Sequence, residues 1–150
     1  MEGEIILRKA KNEDIPRFIE IEKDAESKIY SATTTEKEWQ EEFAKENATV
    51  YAIAKGKDVV GDISYEIKDK STAYISGLCI DKNFQGQGVG KEAVKLMLGD
   101  LKNFEKIELA THPDNTNAIK LYKSFGFETK SQIENYFGDG QPRIIMVLEK

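Results

Sequence analysis

The run Gln85-Gly86-Gln87-Gly88-Val89-Gly90-Lys91 constrains the fold of this chain more than any other stretch. Its three alternate glycines stand between a nearly unbroken apolar run, Thr72 to Ile80, and a segment carrying Val89, Ala93, Val94, Met97, Leu98 and Leu101 at helical spacing. Glycine at a strand-to-helix turn allows backbone conformations closed to other residues and leaves amides open to close approach, and the helix N-terminus adds positive potential. A turn of this kind holds phosphate. A Walker A loop needs Ser or Thr after Gly-Lys, but Lys91 is followed by Glu92, and a dinucleotide fingerprint needs a glycine where Lys91 stands. Both common phosphate loops are therefore excluded.

The segments around this turn alternate between the two hydrophobic periods. Ile5 to Arg8 predicts a strand, Asp14 to about Ala25 a helix with Pro16 in its first turn and a stripe of Ile15, Phe18, Ile19 and Ile21. Thr35-Glu36-Lys37-Glu38 has the form of a capping box and opens a second helix in which Trp39 and Phe43 stand four apart. Thr49 to Ala54, Val59 to Ile67 and Thr72 to Ile80 then follow with short turns between them, which predicts an antiparallel meander. In the middle run Gly61, Ile63, Tyr65 and Ile67 alternate with Asp62, Ser64 and Glu66. A helix over about 88–103, a strand from Ile107 to Thr111 and a helix from about Asn115 to Phe125 come next. Gly126 suits a left-handed helix end with Phe127 folding back on Tyr122. Runs near Thr129 to Ile133 and Arg143 to Leu148 close the order β-α-α-β-β-β-α-β-α-β-β, an α/β mixed sheet with helices on both faces.

Composition narrows the class. One domain over residues 1–150 is expected, since no linker, repeat or low-complexity tract divides the chain. Net charge is −5 with the bases scattered among acids, which argues against nucleic acid and mildly for a cationic partner. No apolar run spans a bilayer, and the acidic start Met1, Glu2, Gly3, Glu4 lacks the pattern of a signal peptide, so a cytoplasmic protein without membrane contact is expected. Cys79 and His112 are the lone cysteine and histidine; they allow no internal disulfide and no closed zinc site, so no metal is expected.

Gln85, Gly88 and Gly90 match the Q/R-x-x-G-x-G/A signature of the Gcn5-related N-acetyltransferase (GNAT) superfamily. Asn115-Thr116-Asn117-Ala118-Ile119-Lys120-Leu121-Tyr122-Lys123-Ser124-Phe125-Gly126-Phe127 closely resembles that family's N-x-x-A-x-x-L-Y-x-x-x-G-F segment, at the right distance downstream. The resemblance extends over essentially the whole chain and implies the family's fold, a central, mostly antiparallel sheet with helices on both faces. It implies acetyl-CoA as cosubstrate and an amine as acceptor, attacked directly in a ternary complex by a monomer or homodimer.

By that resemblance, backbone amides of Gln87, Gly88, Val89, Gly90 and Lys91, with Gln85 and Gly86 beside them, hold the CoA pyrophosphate. Leu78, Cys79 and Ile80 pair with the pantetheine arm as an imitation strand, Asn115 binds the cofactor, and Tyr122 protonates the departing thiolate. Tyr122 also has an ordinary role in packing against Phe127. Cys79, alone in an apolar strand, reads as packing rather than as an acyl-carrying nucleophile. Where the ribosomal-protein N-terminal acetyltransferases carry a Glu, this chain has Ala110; Glu108 and His112 share its face by alternation and are candidate bases acting through a water, with Tyr74 a weaker third. The run Glu134-Asn135-Tyr136-Phe137-Gly138-Asp139-Gly140 resembles the acceptor hairpin of protein N-terminal acetyltransferases and makes Tyr136 the candidate acceptor contact. An α-amine with pKa about 8 is far more often neutral near pH 7 than a lysine at about 10.4, which favours a peptide N-terminus where no strong base is evident. A small amine (polyamine, aminoglycoside or amino acid) is the alternative acceptor, and a catalytically silent CoA-binding module is the rival class. That module has no need of Tyr122 or the acceptor loop, both of which are present.

Overall fold

Seven strands form one sheet in the computed structural model, which describes residues 3–150; Met1 and Glu2 of the acidic start lie outside the described residues. The strands are β1 (Ile5–Lys9), β2 (Ala48–Lys55), β3 (Asp58–Asp69), β4 (Thr72–Ile80), β5 (Lys106–Thr111), β6 (Glu128–Ile133) and β7 (Arg143–Glu149), in the spatial order β1-β2-β3-β4-β5-β7-β6. Only β4 and β5 run parallel; the other pairs are antiparallel. The helices are α1 (Ile15–Ala25), α2 (Glu36–Ala44), α3 (Val89–Asp100) and α4 (Thr116–Ser124). The expected order of elements and the β2–β3–β4 meander are those observed. The third helix ends earlier than the sequence suggested: Leu101 leaves the helical conformation (φ −99°, ψ 14°) and is 1% exposed in the core.

Alternation along each strand feeds two cores. On one face, Ile53, Ile63 and Tyr65 pack with Val94 and Met97 of α3 and with Tyr122 and Phe127 at the end of α4. On the other, Val50 and Ala52 pack with Ile15 and Phe18 of α1 and Trp39 of α2, whose ring lies 4.9 Å from that of Phe18. Trp39 and Phe43 meet edge to face at 6.3 Å. The Thr35 hydroxyl caps α2 by accepting the Glu38 amide proton at 3.2 Å and gives its own proton to the Glu38 carboxylate at 2.9 Å. Arg17 pins α1 to the sheet, donating to the Val59 carbonyl at 3.0 Å and pairing with Asp81 just past β4.

The polar set Asp62, Ser64 and Glu66 does lie opposite Gly61, Ile63 and Tyr65, but α1 and α2 cover that side. Asp62 and Ser64 are consequently buried, at 1% and 6% exposure. The strand alternates without having a wet face at its centre.

The end of α4 is closed as the sequence predicts. The Phe127 amide donates to the Tyr122 carbonyl at 3.2 Å and the Gly126 amide to the Lys123 carbonyl at 2.9 Å, a Schellman pair around Gly126 at φ +99°. The Tyr122 and Phe127 rings meet at 5.4 Å. A side chain at Gly126 is strained by that φ, and its Cβ would stand 3.3 Å from Leu148 Cδ1. Gly126→Ala is expected to lower unfolding stability by about 1–2 kcal/mol, with Gly126→Asn milder, as read from urea midpoints at constant m-value.

Candidate active site

Pairing between β4 and β5 runs from Thr72↔Lys106 to Ile75↔Leu109 and stops there, although both strands continue. The break coincides with a bulge in β4. Ser64 faces Gly77 while Tyr65 faces Ile75, so Ser76 is the extra residue that bends β4 away from its neighbour. Beyond it β4 remains bonded to β3 through Ile80, and β5 to β7 through Thr111. Every second N–H and C=O of β4 past Ser76 therefore faces a wedge between the strands, where an extended chain of amides can pair.

A cavity of about 550 Å³ opens at this wedge. Ser76, Gly77 and Leu78 of β4, Leu109, Ala110 and Thr111 of β5, and then His112, Asn115, Ala118 and Tyr122 form one side. Glu22, Tyr30, Thr33, Trp39 and Glu42 are among those contributed by α1, α2 and the loop between them, Asp62 and Ser64 come from β3, and Tyr74, Phe137 and Arg143 also line it.

The structure thus brings Leu78, His112, Asn115 and Tyr122 together. Tyr122 is 5% exposed, and burial pushes its hydroxyl above the usual phenol range. Asn115 caps α4 by accepting the Ala118 amide at 3.2 Å, which leaves its NH₂ group for a ligand. His112 is 4% exposed; its Nδ1 accepts the Asp114 amide at 3.0 Å, so Nε2 carries the proton toward Gln141 Oε1, also at 3.0 Å. Glu108 is not part of the wall. It points toward Lys68 and Lys106 at 3.7 and 3.9 Å, so of the two candidate bases only His112 shares the cavity with Ala110. Tyr136 stands behind the wall beside Tyr74, its ring 5.0 Å from that of Phe137, which does line the cavity.

The glycine turn lies past the far end of β4. Gly86 and Gly88 have φ of +78° and +80° and open space where a Cβ would be, so the backbone there is both glycine-dependent and approachable. Gly88 is the N-cap of α3, and the first amides of that helix, at Val89, Gly90 and Lys91, have no acceptor within it. The Val89 side chain faces inward at 3% exposure, whereas the Gln85 side chain braces the turn by donating to the Ile80 carbonyl at 3.1 Å. Ile80, Gln85 and Gly88 thus join the open edge of β4 to an anion-receptive helix start.

A group that the sequence did not single out lies on the opposite face of β4. Cys79 pairs across to Asp62, and its Sγ lies 3.9 Å from the Ile21 carbonyl of α1. Glu22, at 2% exposure, accepts the Tyr30 hydroxyl at 2.9 and 3.1 Å and the Thr33 amide at 3.0 Å. Burial first, then the neighbouring Glu22 charge and the proton shared with it, drive the Asp62 pKa well above the carboxylate range. Asp62 therefore keeps its proton beside the Glu22 carboxyl group. Glu22, Asp62 and Cys79 offer ligand atoms within 4.8 Å of one another, but burial keeps the thiol protonated as well. Metal ligation needs the deprotonated forms, so the trio reads as a buried acid pair against a packed thiol. Only the break in the apolar run at Asp62 could have hinted at it. Among the described residues no helix is long and apolar enough to cross a membrane.

Comparison with known proteins agrees with this geometry. The model of the Acetyltransferase (GNAT) family matches residues 15–127. The L-amino acid N-acetyltransferase AaaT of Escherichia coli (strain K12) is 28% identical over 146 residues, covering 89% of this chain and 89% of that one. The probable spermine N(1)-acetyltransferase of Bacillus subtilis subsp. natto (strain BEST195) is 30% identical over 87 residues, 51% of this chain and 57% of that one. In fold, the ribosomal-protein-S18-alanine N-acetyltransferase from Escherichia coli superposes with a TM-score of 0.81 at 20% identity, over 97% of this chain and 94% of that chain.

The raised Asp62 pKa has a stability consequence with a definite sign. An acid whose folded pKa exceeds its unfolded value contributes stability below the unfolded pKa, near 4, and loses it as pH rises toward the folded one. Asp62→Asn keeps the shape and a hydrogen to share with Glu22, so relative to wild type it should gain about 1.4 kcal/mol per pH unit above pH 4. Denaturant midpoints of the two proteins between pH 4 and 7 check this; parallel curves would mean that Asp62 ionises normally.

Proposed function

The chain belongs to the GNAT acetyltransferase family and is an acetyl-CoA-dependent N-acetyltransferase, and from that premise we propose that its acceptor is a small cationic amine entering the cavity between α2 and the β4–β5 wedge. One observation carries the choice of acceptor. The wall on the α1–α2 side holds Glu22, Glu38, Glu41, Glu42 and Asp62, whereas the cations on the cavity wall, Lys45 and Arg143, are already paired. Lys45 reaches Glu42 at 3.0 Å and Glu66 at 3.2 Å, and Arg143 reaches Asp139 at 3.0 Å. A peptide N-terminus, the acceptor first expected, is the second reading. It draws on the Tyr136–Phe137 loop, where Phe137 is 48% exposed at the cavity edge.

Acetyl-CoA supplies the thioester, and the residues present fit it. The wedge edge from Gly77 to Ile80 receives the pantetheine arm, the Gly86–Lys91 turn the pyrophosphate, and Asn115 the cofactor through its unused NH₂ group. The acceptor nitrogen forms its bond to the acetyl carbon as the carbon–sulfur bond breaks. Tyr122 gives its proton to the leaving sulfur and regains one from solvent, and the proton shed by the amine passes to water in the open cavity. His112 is placed to hold that water rather than to take the proton directly, because its Nδ1 lone pair is engaged by Asp114. Transfer is direct: Cys79 faces α1, and burial holds its thiol in the protonated, unreactive form.

Two experiments test these roles. Gly88 sits at φ +80°, a conformation that Asn and Asp both tolerate, so the two substitutions differ mainly in charge. Calorimetry with CoA should give near-native affinity for Gly88→Asn and a loss of tenfold or more for Gly88→Asp; equal affinities would remove the pyrophosphate from this turn. Tyr122→Phe keeps the ring against Phe127 and should lower kcat by about a hundredfold with KM for acetyl-CoA little changed. A near-normal kcat where chemistry limits turnover would return Tyr122 to packing alone.

A further inference from the structure

The loop between β6 and β7 (134–142) is braced from within. The Asn135 side-chain oxygen accepts the Gly140 amide at 2.6 Å. One oxygen of Asp139 accepts the Gln141 amide at 2.9 Å, and the other accepts from Arg143 at 3.0 Å. Arg143 is itself buried and lies over the Phe137 ring, 4.9 Å from its centroid. Bonds of this kind fix where the loop's side chains point. Gln141 points at His112, with Oε1 3.0 Å from Nε2, and stands behind the cavity wall that His112 helps to form.

The other edge of the imidazole organises the start of α4. A backbone amide can only donate, so the Asp114 N–H at 3.0 Å makes Nδ1 an acceptor and leaves the ring proton on Nε2. Gln141 must then present its oxygen, as it does. The His112 carbonyl accepts the Asn115 amide at 2.9 Å, closing a turn through Pro113 that ends at the N-cap of α4. Ring and carbonyl of one residue thus hold the two amides that place Asn115. The Asn115 oxygen is taken by the Ala118 amide, so the direction of its NH₂ group follows from this turn. We propose that Gln141 is a positioning residue for acetyl-CoA. By holding the His112 ring it fixes the turn over 112–115, and a loop residue behind the wall sets cofactor affinity through Asn115. This rests on the reading that Asn115 binds the cofactor.

His112 is the chain's single histidine, so imidazole nitrogen NMR signals report on it alone. At mildly basic pH the wild type should show a protonated Nε2, a bare Nδ1 and an Nε2–H proton that exchanges slowly with water. Gln141→Met keeps the length of the side chain but loses the acceptor, whereas Gln141→Glu keeps an accepting oxygen. The slow Nε2–H signal should vanish in Gln141→Met and survive in Gln141→Glu. Calorimetry with CoA should find Gln141→Met weakened about fivefold and Gln141→Glu near native, the scale of one net hydrogen bond. Asn115→Ser keeps a capping oxygen, removes the NH₂ group and should weaken CoA at least as much. The double variant Gln141→Met/Asn115→Ser should lose no more than Asn115→Ser, because the two residues act in series. Losses that multiply in the double variant would overturn the proposal, as would native CoA affinity in folded Gln141→Met. So would a wild-type ring protonated at Nδ1 and drawn to the Asp114 carboxylate 3.9 Å away. Native affinity in Asn115→Ser would instead remove Asn115 as the cofactor contact, and the proposal with it.

Discussion

The hydrogen bonds between β4 and β5 end at Ile75 and Leu109, and the rest of the site follows from that interruption. A bulge at Ser76 bends β4 where the strands part, so a sheet that is continuous at one end becomes a wedge at the other. Unpaired backbone groups in a sheet interior are costly unless something bonds them. Here they lie between the Gly86–Lys91 turn and Tyr122, where an extended thioester arm can pair with them. The antiparallel strands on either side keep the wedge open, because β3 holds β4 to its end and β7 holds β5 to its end.

Strand alternation then divides the chemistry between the faces of β4. Leu78 and the open backbone edge belong to the wedge; Cys79, one residue on, points the other way into α1. The lone cysteine is thereby turned away from the wedge, which is lined instead by Tyr122, whose hydroxyl burial pushes above the usual phenol range.

The acidic face has the opposite economy. Burying Glu22 and Asp62 between α1 and β3 costs desolvation that hydrogen bonds from Tyr30 and Thr33 repay for Glu22 alone. Asp62 meets the cost by keeping its proton. A fold selected for stability alone would place apolar side chains at these positions.

Element order, the meander, the Gly126 helix end and the family are all legible in the chain before it folds. Each is written in short-range terms: a hydrophobic period, a glycine that only a positive φ explains, a spacing between two motifs. What it could not determine is which neighbour covers each face. Asp62 and Ser64 alternate with apolar residues just as solvent-facing positions would; only the placement of α1 over β3, with α2 beside it on β2, makes them buried. Glu108 and His112 were equivalent by alternation, and tertiary structure separated them, turning Glu108 toward two lysines and His112 into the cavity. The acid pair of Glu22 and Asp62 spans forty residues of chain. Long-range contact of that kind leaves no local mark, so packing alone decided that the β4–β5 wedge and an acidic wall line one cavity.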